Sequence, residues 1–417
     1  MSLKQTSLIT PKLHEDWIDS DALDIVYQLQ HRGYTTYLVG GCVRDLLIGR
    51  EPKDFDISTI AKPKDVKYAI RNSYIIGKRF RLVLAKRDDR LFEVSTFRRD
   101  PKPEELASED QPTLDNIFGT PEEDAKRRDF TINALFYDPF KKKVIDHVGG
   151  LPDLKDGIVR MIGNPIKRLD EDPIRILRGI RLSHMIRFSL EEDLKRGMKQ
   201  LAHRLPSTAL PRRREEILKF LRLDDPALPF LTANDLGVLK HLSPMLHDLL
   251  NDSRQSEEFL TQMHEFSALD LSTPEELFTG LAIIFSKTKL ESGLYQLDKV
   301  EKFLTQESTL EFLRNELGLF NAELANLKKT IQIIGHLQRR SDFERRGERR
   351  RWALFRNESF SLSLKLAEKL YLLSPKDLAF WKSEYDKRPD DLQTKNNSTR
   401  PRRRRRKAHK KITPASN

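Results

Sequence analysis

At 417 residues, with 38% hydrophobic and 33% charged side chains, the chain is long enough for two or three domains, and it has no apolar run approaching a membrane span. Its one cysteine, Cys42, excludes an intrachain disulfide framework and a zinc–thiolate cluster, and reads as a small buried side chain in a reducing cytoplasm. The net charge of +12 is uneven, because Arg400 to Lys411 carries six arginines and three lysines without an acid. Such a run cannot pack, so residues 389–417 are expected to be an unstructured basic tail whose natural partner is a polyphosphate chain. The opening MSLKQTSLIT lacks the basic-then-apolar pattern of a secretory leader, so a cytoplasmic protein without a membrane partner is expected.

In chain order, Thr35 to Val39 reads as a strand broken by Gly40 and Gly41, after which VRDLLIG starts a helix ending near Gly49. Phe55 to Thr59 reads as a second strand. A helix follows over Lys62 to Asn72, with Val66, Ala69 and Ile70 on one face. Arg81 to Phe97 alternates in two runs turned at Asp88 and Asp89, which predicts a hairpin. Arg98 to Thr120 is poor in apolar residues and reads as a long loop, of a kind that is usually functional or mobile. Beyond DHVGGLPDLKDG the pattern is helical, with Leu-rich segments at Glu215 to Leu223, Glu276 to Ser286 and Ser361 to Leu373 and no fixed-period repeat.

Within the second strand, alternation points Asp54, Asp56 and Ser58 one way and Phe55 and Ile57 into the core. Two adjacent carboxylates suit hard cations such as Mg²⁺, although D-x-D alone fits a solvated acidic strand face equally well. Upstream, Gly40 and Gly41 lie between strand and helix with Arg44 in the first helical turn. Backbone amides, the positive helix end and an arginine together suit a triphosphate.

With the spacing G-G-x-x-R-D…D-x-D, LVGGCVRDLLIGREPKDFDIST resembles the first signature of the class II nucleotidyltransferases, the branch containing bacterial poly(A) polymerases and tRNA CCA-adding enzymes. RRDFTINALFYDP resembles the second signature, and Asp146 to Leu182 resembles the third and fourth run together. The resemblance implies an α+β protein: a polymerase β-like head with a mixed sheet (1–150), an all-helical neck (151–225) and a helical RNA-binding body (226–388). It assigns Asp54 and Asp56 to two Mg²⁺ ions, and Gly40, Gly41 and Arg44 to the triphosphate. Glu93 takes the third acidic position, Asp129 is a further candidate catalytic carboxylate, and Arg128 and Asn133 contact ribose and phosphates. An ion pair with a neighbouring arginine is the alternative for Glu93 and for Asp129.

In EDPIR, Asp172 followed by Pro173 reads as a capped helix start, with Ile176, Leu177 and Ile180 on one face and Arg175, Arg178 and Arg181 on the other. The resemblance makes Glu171, Asp172 and Arg175 the template that reads the incoming base, with Arg178 on the same nucleotide-facing side. Gln338 to Arg356 sets Arg349, Arg350 and Arg351 beside Phe343, Trp352 and Phe355, a mixture suited to phosphate contact and base stacking or, equally, a surface helix with core aromatics. Arg402, Arg403 and Arg404 are expected to attract RNA from the tail.

Both branches of the family extend RNA 3′ ends. IIGKRFRL, DNIFGTPEEDAKRRDFT and the basic tail resemble the poly(A) branch, whereas CCA-adding enzymes tend to carry Gly-Thr-Val at this hairpin. The expectation is therefore a monomeric polynucleotide adenylyltransferase acting in RNA polyadenylation, with ATP as substrate, two Mg²⁺ ions, and RNA-decay or RNA-chaperone proteins as candidate partners. A CCA-adding enzyme and a non-catalytic RNA-binding protein of the same fold are the alternatives.

Overall fold

Asp19 starts the fold by accepting hydrogen bonds from the amides of Asp21 and Ala22, which caps the helix Ser20–Gln30. That helix buries Ala22, Ile25, Val26 and Leu29, a helical stripe, against the sheet that follows. The computed structural model describes residues 13–77, 81–101, 117–290 and 297–387.

Seven strands form one mixed sheet: β1 (Thr36–Val39), β2 (Asp56–Thr59), β3 (Ser73–Ile76), β4 (Leu82–Arg87), β5 (Arg90–Thr96), β6 (Leu135–Asp138) and β7 (Lys143–Asp146), in the order β3-β4-β5-β2-β1-β6-β7. The β2–β5 pair is parallel and the other neighbours are antiparallel. The predicted hairpin is present, with Arg87 opposite Arg90 and Asp88 in the left-handed region that aspartate tolerates. Sequence alternation gave no sign of β6. All four of its residues are buried, so they show no period of two. The two ends of the expected long loop are drawn together, Arg99 donating to the Ile117 carbonyl and Gly119 to that of Phe97. Residues 102–116 between them lie outside the described residues.

Beyond the sheet the described chain is almost wholly helical; the Leu-rich segment Glu276 to Ser286 lies inside the helix Pro274–Lys289, and the other two begin in the helices Leu210–Leu221 and Phe360–Lys369 and run past their ends. Two compact units result, one of residues 1–289 with 306–319 and one of 290–305 with 320–417. The boundaries expected at 150 and 225 both fall inside the first unit. Side chains cross them: Arg178 pairs with Asp129 across the first, and His184 bonds Thr232 across the second.

One half-buried histidine is expected to make this unit sensitive to acid. His184, on the helix Ile174–Ile186, bonds Thr232 at 2.8 Å, and burial holds its pKa below the ordinary histidine value, with Asp225 offsetting part of the shift. On acidification the unfolded chain takes up this proton first, so stability present above an unfolded pKa of about 6.5 is lost as pH falls through it. Thermal unfolding should therefore occur at a lower temperature at acid than at neutral pH, and His184→Gln should narrow that gap. An unchanged gap in the variant would exclude His184 as its source.

In the second unit Phe343, Phe355, Phe360 and Trp381 form an aromatic core, and the Trp381 indole donates to the Leu337 carbonyl at 2.8 Å. Of the two readings left open for Phe343 and Phe355, the structure shows the core one. Their rings fill the interior, because the segment's apolar face needs a core more than its basic face needs partners. Arg351 is corrected. Its guanidinium is committed to the carbonyls of Phe343, Arg346 and Glu344, bracing the turn before the helix Glu348–Phe355.

Candidate active site

The site begins where β1 ends. Gly40 takes φ +79° and ψ −128°, a conformation open essentially to glycine alone, and its amide donates to the Leu135 carbonyl of β6 at 3.0 Å. A side chain here would also crowd Arg128, since a Cβ would lie 3.3 Å from its guanidinium. The helix Gly41–Leu47 starts directly after the turn, and its first amides have no partner within the helix.

Sheet register carries the carboxylates to this turn. Asp56 pairs with Val39, the residue before Gly40. In the parallel ladder Ile57 lies opposite Val94, so the preceding residues Asp56 and Glu93 come level on the same face. Asp54, Asp56 and Glu93 are exposed, whereas Phe55 and Ile57 are buried, as the alternation predicts. Surrounding protein and then the charge of Glu93 push the Asp56 carboxyl above its ordinary pKa; Arg128 opposes the shift and Asp54 adds to it. Mutual repulsion of this kind is what a divalent cation relieves. Among the described residues, no group of three or more His, Cys, Asp or Glu side chains is placed to hold a metal ion by itself. An open pair of carboxylates instead fits Mg²⁺, which retains waters and takes substrate phosphates as further ligands.

The arginines divide into two kinds. Arg44, expected at the triphosphate, is only 4% exposed. Its Nε and Nη2 donate to Asp45 at 3.0 and 2.8 Å, and its Nη1 donates to the Asn133 side chain. The structure thus corrects its placement: Arg44 joins the glycine turn to the RRDFTIN segment from inside. Arg128 is the arginine that stands at the turn. Asp124 receives its Nε and Nη2 at 3.1 and 2.9 Å, and the guanidinium lies 5.5 Å from the Phe136 ring centre.

For Asp129 the structure shows the ion pair that was the alternative to a catalytic carboxylate. Its Oδ1 accepts the Phe130 amide and its Oδ2 lies 2.6 Å from Arg178, so its carboxylate fixes an arginine of the EDPIR helix, and the strongest charges on Asp56 come from other groups. Asp172 does not cap that helix, which begins at Ile174 with no side-chain cap. Its two oxygens accept from Arg212 at 2.9 and 2.8 Å, a bidentate pair spanning 40 residues of sequence. Glu171 lies 3.1 Å from Arg168 and 3.5 Å from Arg175, and Arg175 donates to the Arg168 carbonyl at 2.6 Å. Arg168 in turn donates to the carbonyls of Arg127 and Arg128, tying this cluster to the residues flanking Asp129.

The structure therefore brings Gly40, Gly41, Asp54, Asp56, Glu93 and Arg128 to one end of the sheet and gathers Asp129, Glu171, Asp172, Arg175 and Arg178 into a second cluster, with Asn133 beneath the first. Sequence reasoning missed Asp124, Arg168 and Arg212. An i,i+4 Asp-Arg spacing in EEDAKRRD could have revealed Asp124. Cys42 is buried behind the turn with its thiol pKa pushed up to about 12 by burial, so it is inert at neutral pH. Arg349 and Arg350 belong to the second compact unit, and Arg402, Arg403 and Arg404 lie outside the described residues.

The chain is similar to known proteins. Residues 36–160 match the family described as "Poly A polymerase head domain", and residues 187–250 match "Probable RNA and SrmB- binding site of polymerase A". Poly(A) polymerase I of Salmonella typhi is 32% identical over 370 residues, covering 84% of this chain and 78% of that protein. The CCA-adding enzyme of Ligilactobacillus salivarius (strain UCC118) is 33% identical over 264 residues, covering 63% and 62%. Among solved structures, Bacillus stearothermophilus CCA-adding enzyme in complex with CTP has the same fold, with a TM-score of 0.62 at 24% identity over 88% of this chain and 82% of that one. No helix among the described residues is long and apolar enough to cross a membrane. The chain belongs to the poly(A) polymerase and CCA-adding enzyme family of class II nucleotidyltransferases.

Proposed function

We propose that this nucleotidyltransferase is a template-independent polynucleotide adenylyltransferase, adding AMP from ATP to RNA 3′ ends and releasing pyrophosphate. The observation that carries the chemistry is the register of β1, β2 and β5, which sets Asp56 beside both Glu93 and the Gly40 turn. The choice of the poly(A) branch is supported by the longer match to Poly(A) polymerase I, 84% of this chain against 63% for the CCA-adding relative.

Asp54 and Asp56, with Glu93 beside them, would hold the magnesium. Bound there with a triphosphate, magnesium would lower the pKa of the attacking 3′-hydroxyl and neutralise charge on the departing pyrophosphate. Gly40 and Gly41 let phosphate approach the backbone, and Arg128 supplies the positive charge at the turn. Arg44 and Asn133 hold the turn in place from beneath. Glu171, Asp172, Arg175 and Arg178 present hydrogen-bonding groups to the base. Arg212 takes one bond to each Asp172 oxygen and the Arg168 carbonyl takes Nη1 of Arg175, so a base would meet the remaining Asp172 lone pairs and Arg175 N–H groups. The basic run containing Arg402, Arg403 and Arg404 would raise local RNA concentration through a salt-sensitive attraction.

Supplying each nucleotide singly with an A-rich oligomer or a tRNA lacking its CCA end tests the assignment. Long tails grown on the oligomer from ATP alone are the expected result. Addition confined to the tRNA and requiring CTP would assign the chain to the CCA-adding branch instead. No transfer to either RNA would favour the non-catalytic reading.

A further inference from the structure

Lys329, Gln332, Ile333 and His336 recur at helical spacing along one face of the helix Asn321–Gln338. Arg346 and then Arg350, Ala353, Leu354 and Asn357 form the matching stripe on and around the helix Glu348–Phe355. The two stripes line one cavity of about 500 Å³ within the second compact unit. Ile333 and Leu354 are buried there, and no carboxylate is among the lining residues.

Charge in this groove is not balanced from within. The nearby Arg340 pairs with Glu344 and Lys382 with Glu368, but Lys329, Arg346 and Arg350 have no carboxylate partner among the described residues. His336 is held below the ordinary histidine value by burial and then by Arg346 and Arg339, with Asp342 offsetting part of the shift. Arg350 stands in the first turn of its helix, where the macrodipole favours an acid over a cation. Helix stability therefore does not account for these cations, whereas an anion in the groove would.

We propose that the groove formed by Lys329, His336, Arg346 and Arg350 binds phosphodiesters of the RNA strand. The inference rests on the reading that RNA is the substrate, and it places an RNA contact at a defined cavity of the body. The phosphates sit between cations from two helices, the side-chain amide of Asn357 supplies a polar contact, and Ile333 and Leu354 offer an apolar floor to a base. Free nucleotides carry the same phosphate chemistry, so the test must separate the two sources.

The experiment uses the full chain with Arg346→Gln and Arg350→Gln combined, and a fluorescent oligoadenylate titrated at several salt concentrations. Loss of two phosphate contacts should weaken binding by about tenfold at moderate salt and reduce the slope of log affinity against log salt by about 1.4. Arg346→Lys with Arg350→Lys should retain most of the slope. Neither arginine side chain has a hydrogen-bond partner among the described residues, so both variants should unfold at the wild-type temperature. Unchanged affinity and slope in the glutamine variant would overturn the proposal. So would AMP or inorganic phosphate binding that depends on these residues while oligoadenylate binding does not. If the chain transfers no nucleotide at all, the active-site reading falls, while these binding slopes still decide the groove.

Discussion

Asp56→Asn is expected to lower the rate of AMP incorporation by about a thousandfold or more, roughly 4 kcal/mol of transition-state stabilisation, without weakening RNA binding. Asparagine keeps the shape of the side chain and its place opposite Val39 but removes the charge a divalent ion needs. The same change should leave thermal stability unaltered or raise it. Burial first, then Glu93 and to a lesser degree Asp54 push the Asp56 pKa up against Arg128, so its negative charge is unfavourable to the folded state when no cation is bound. Loss of activity with retained or increased stability is the signature of a residue placed for function at the expense of the fold. Parallel loss of activity and stability would instead mark Asp56 as a structural residue, and single-turnover kinetics with thermal melts would separate the two cases.

Gly150→Ala is the second large effect. A Cβ on Gly150 would lie 2.4 Å from the Thr131 carbonyl oxygen and 2.9 Å from its carbon, so backbone must move. On one side the helix start is pinned by Asp146, whose carboxylate accepts the amides of Val148, Gly149, Gly150 and Leu151. On the other side lies the short turn Thr131–Asn133, through which Asn133 receives Arg44. Overpacking of this kind costs about 1–3 kcal/mol, and the displaced turn should carry Asn133 away from the glycine turn and lower kcat. Gly149→Ala is the control. It strains a left-handed backbone at φ +83° but meets open space, so it should cost stability with little loss of kcat. Equal kcat in the two variants would contradict a link from Gly150 to the active site.

How much of this was legible in the sequence depended on the range of each interaction. The DFD strand and the β4–β5 hairpin were readable because one face is buried and the other is not, which leaves a period of two. β6 was not, because it is buried on both faces. The carboxylates and glycines of the site were visible because neighbouring residues supply them. The role of Asp172 was misread because an Asp-Pro pair looks the same whether the carboxylate caps its own helix or, as here, accepts from Arg212 far along the chain. Arg44 was placed on phosphate because spacing does not show which way a guanidinium turns, and its burial against Asp45 and Asn133 emerged only with the fold. Likewise, composition put Phe343 and Phe355 beside cations, and only their packing against Trp381 shows that they are core.

On the proposed mechanism Asp54 and Asp56, with Glu93 alongside, hold a cation jointly with the triphosphate at the Gly40 turn. The most direct test is Mn²⁺ binding, followed by electron paramagnetic resonance, in the wild type and in Asp54→Asn/Asp56→Asn, with and without a non-hydrolysable ATP analogue. In the wild type, Mn²⁺ affinity should rise sharply when the analogue completes the ligand set, and this rise should vanish in the double variant while RNA affinity persists. The same analogue-dependent Mn²⁺ binding in both proteins would contradict the account.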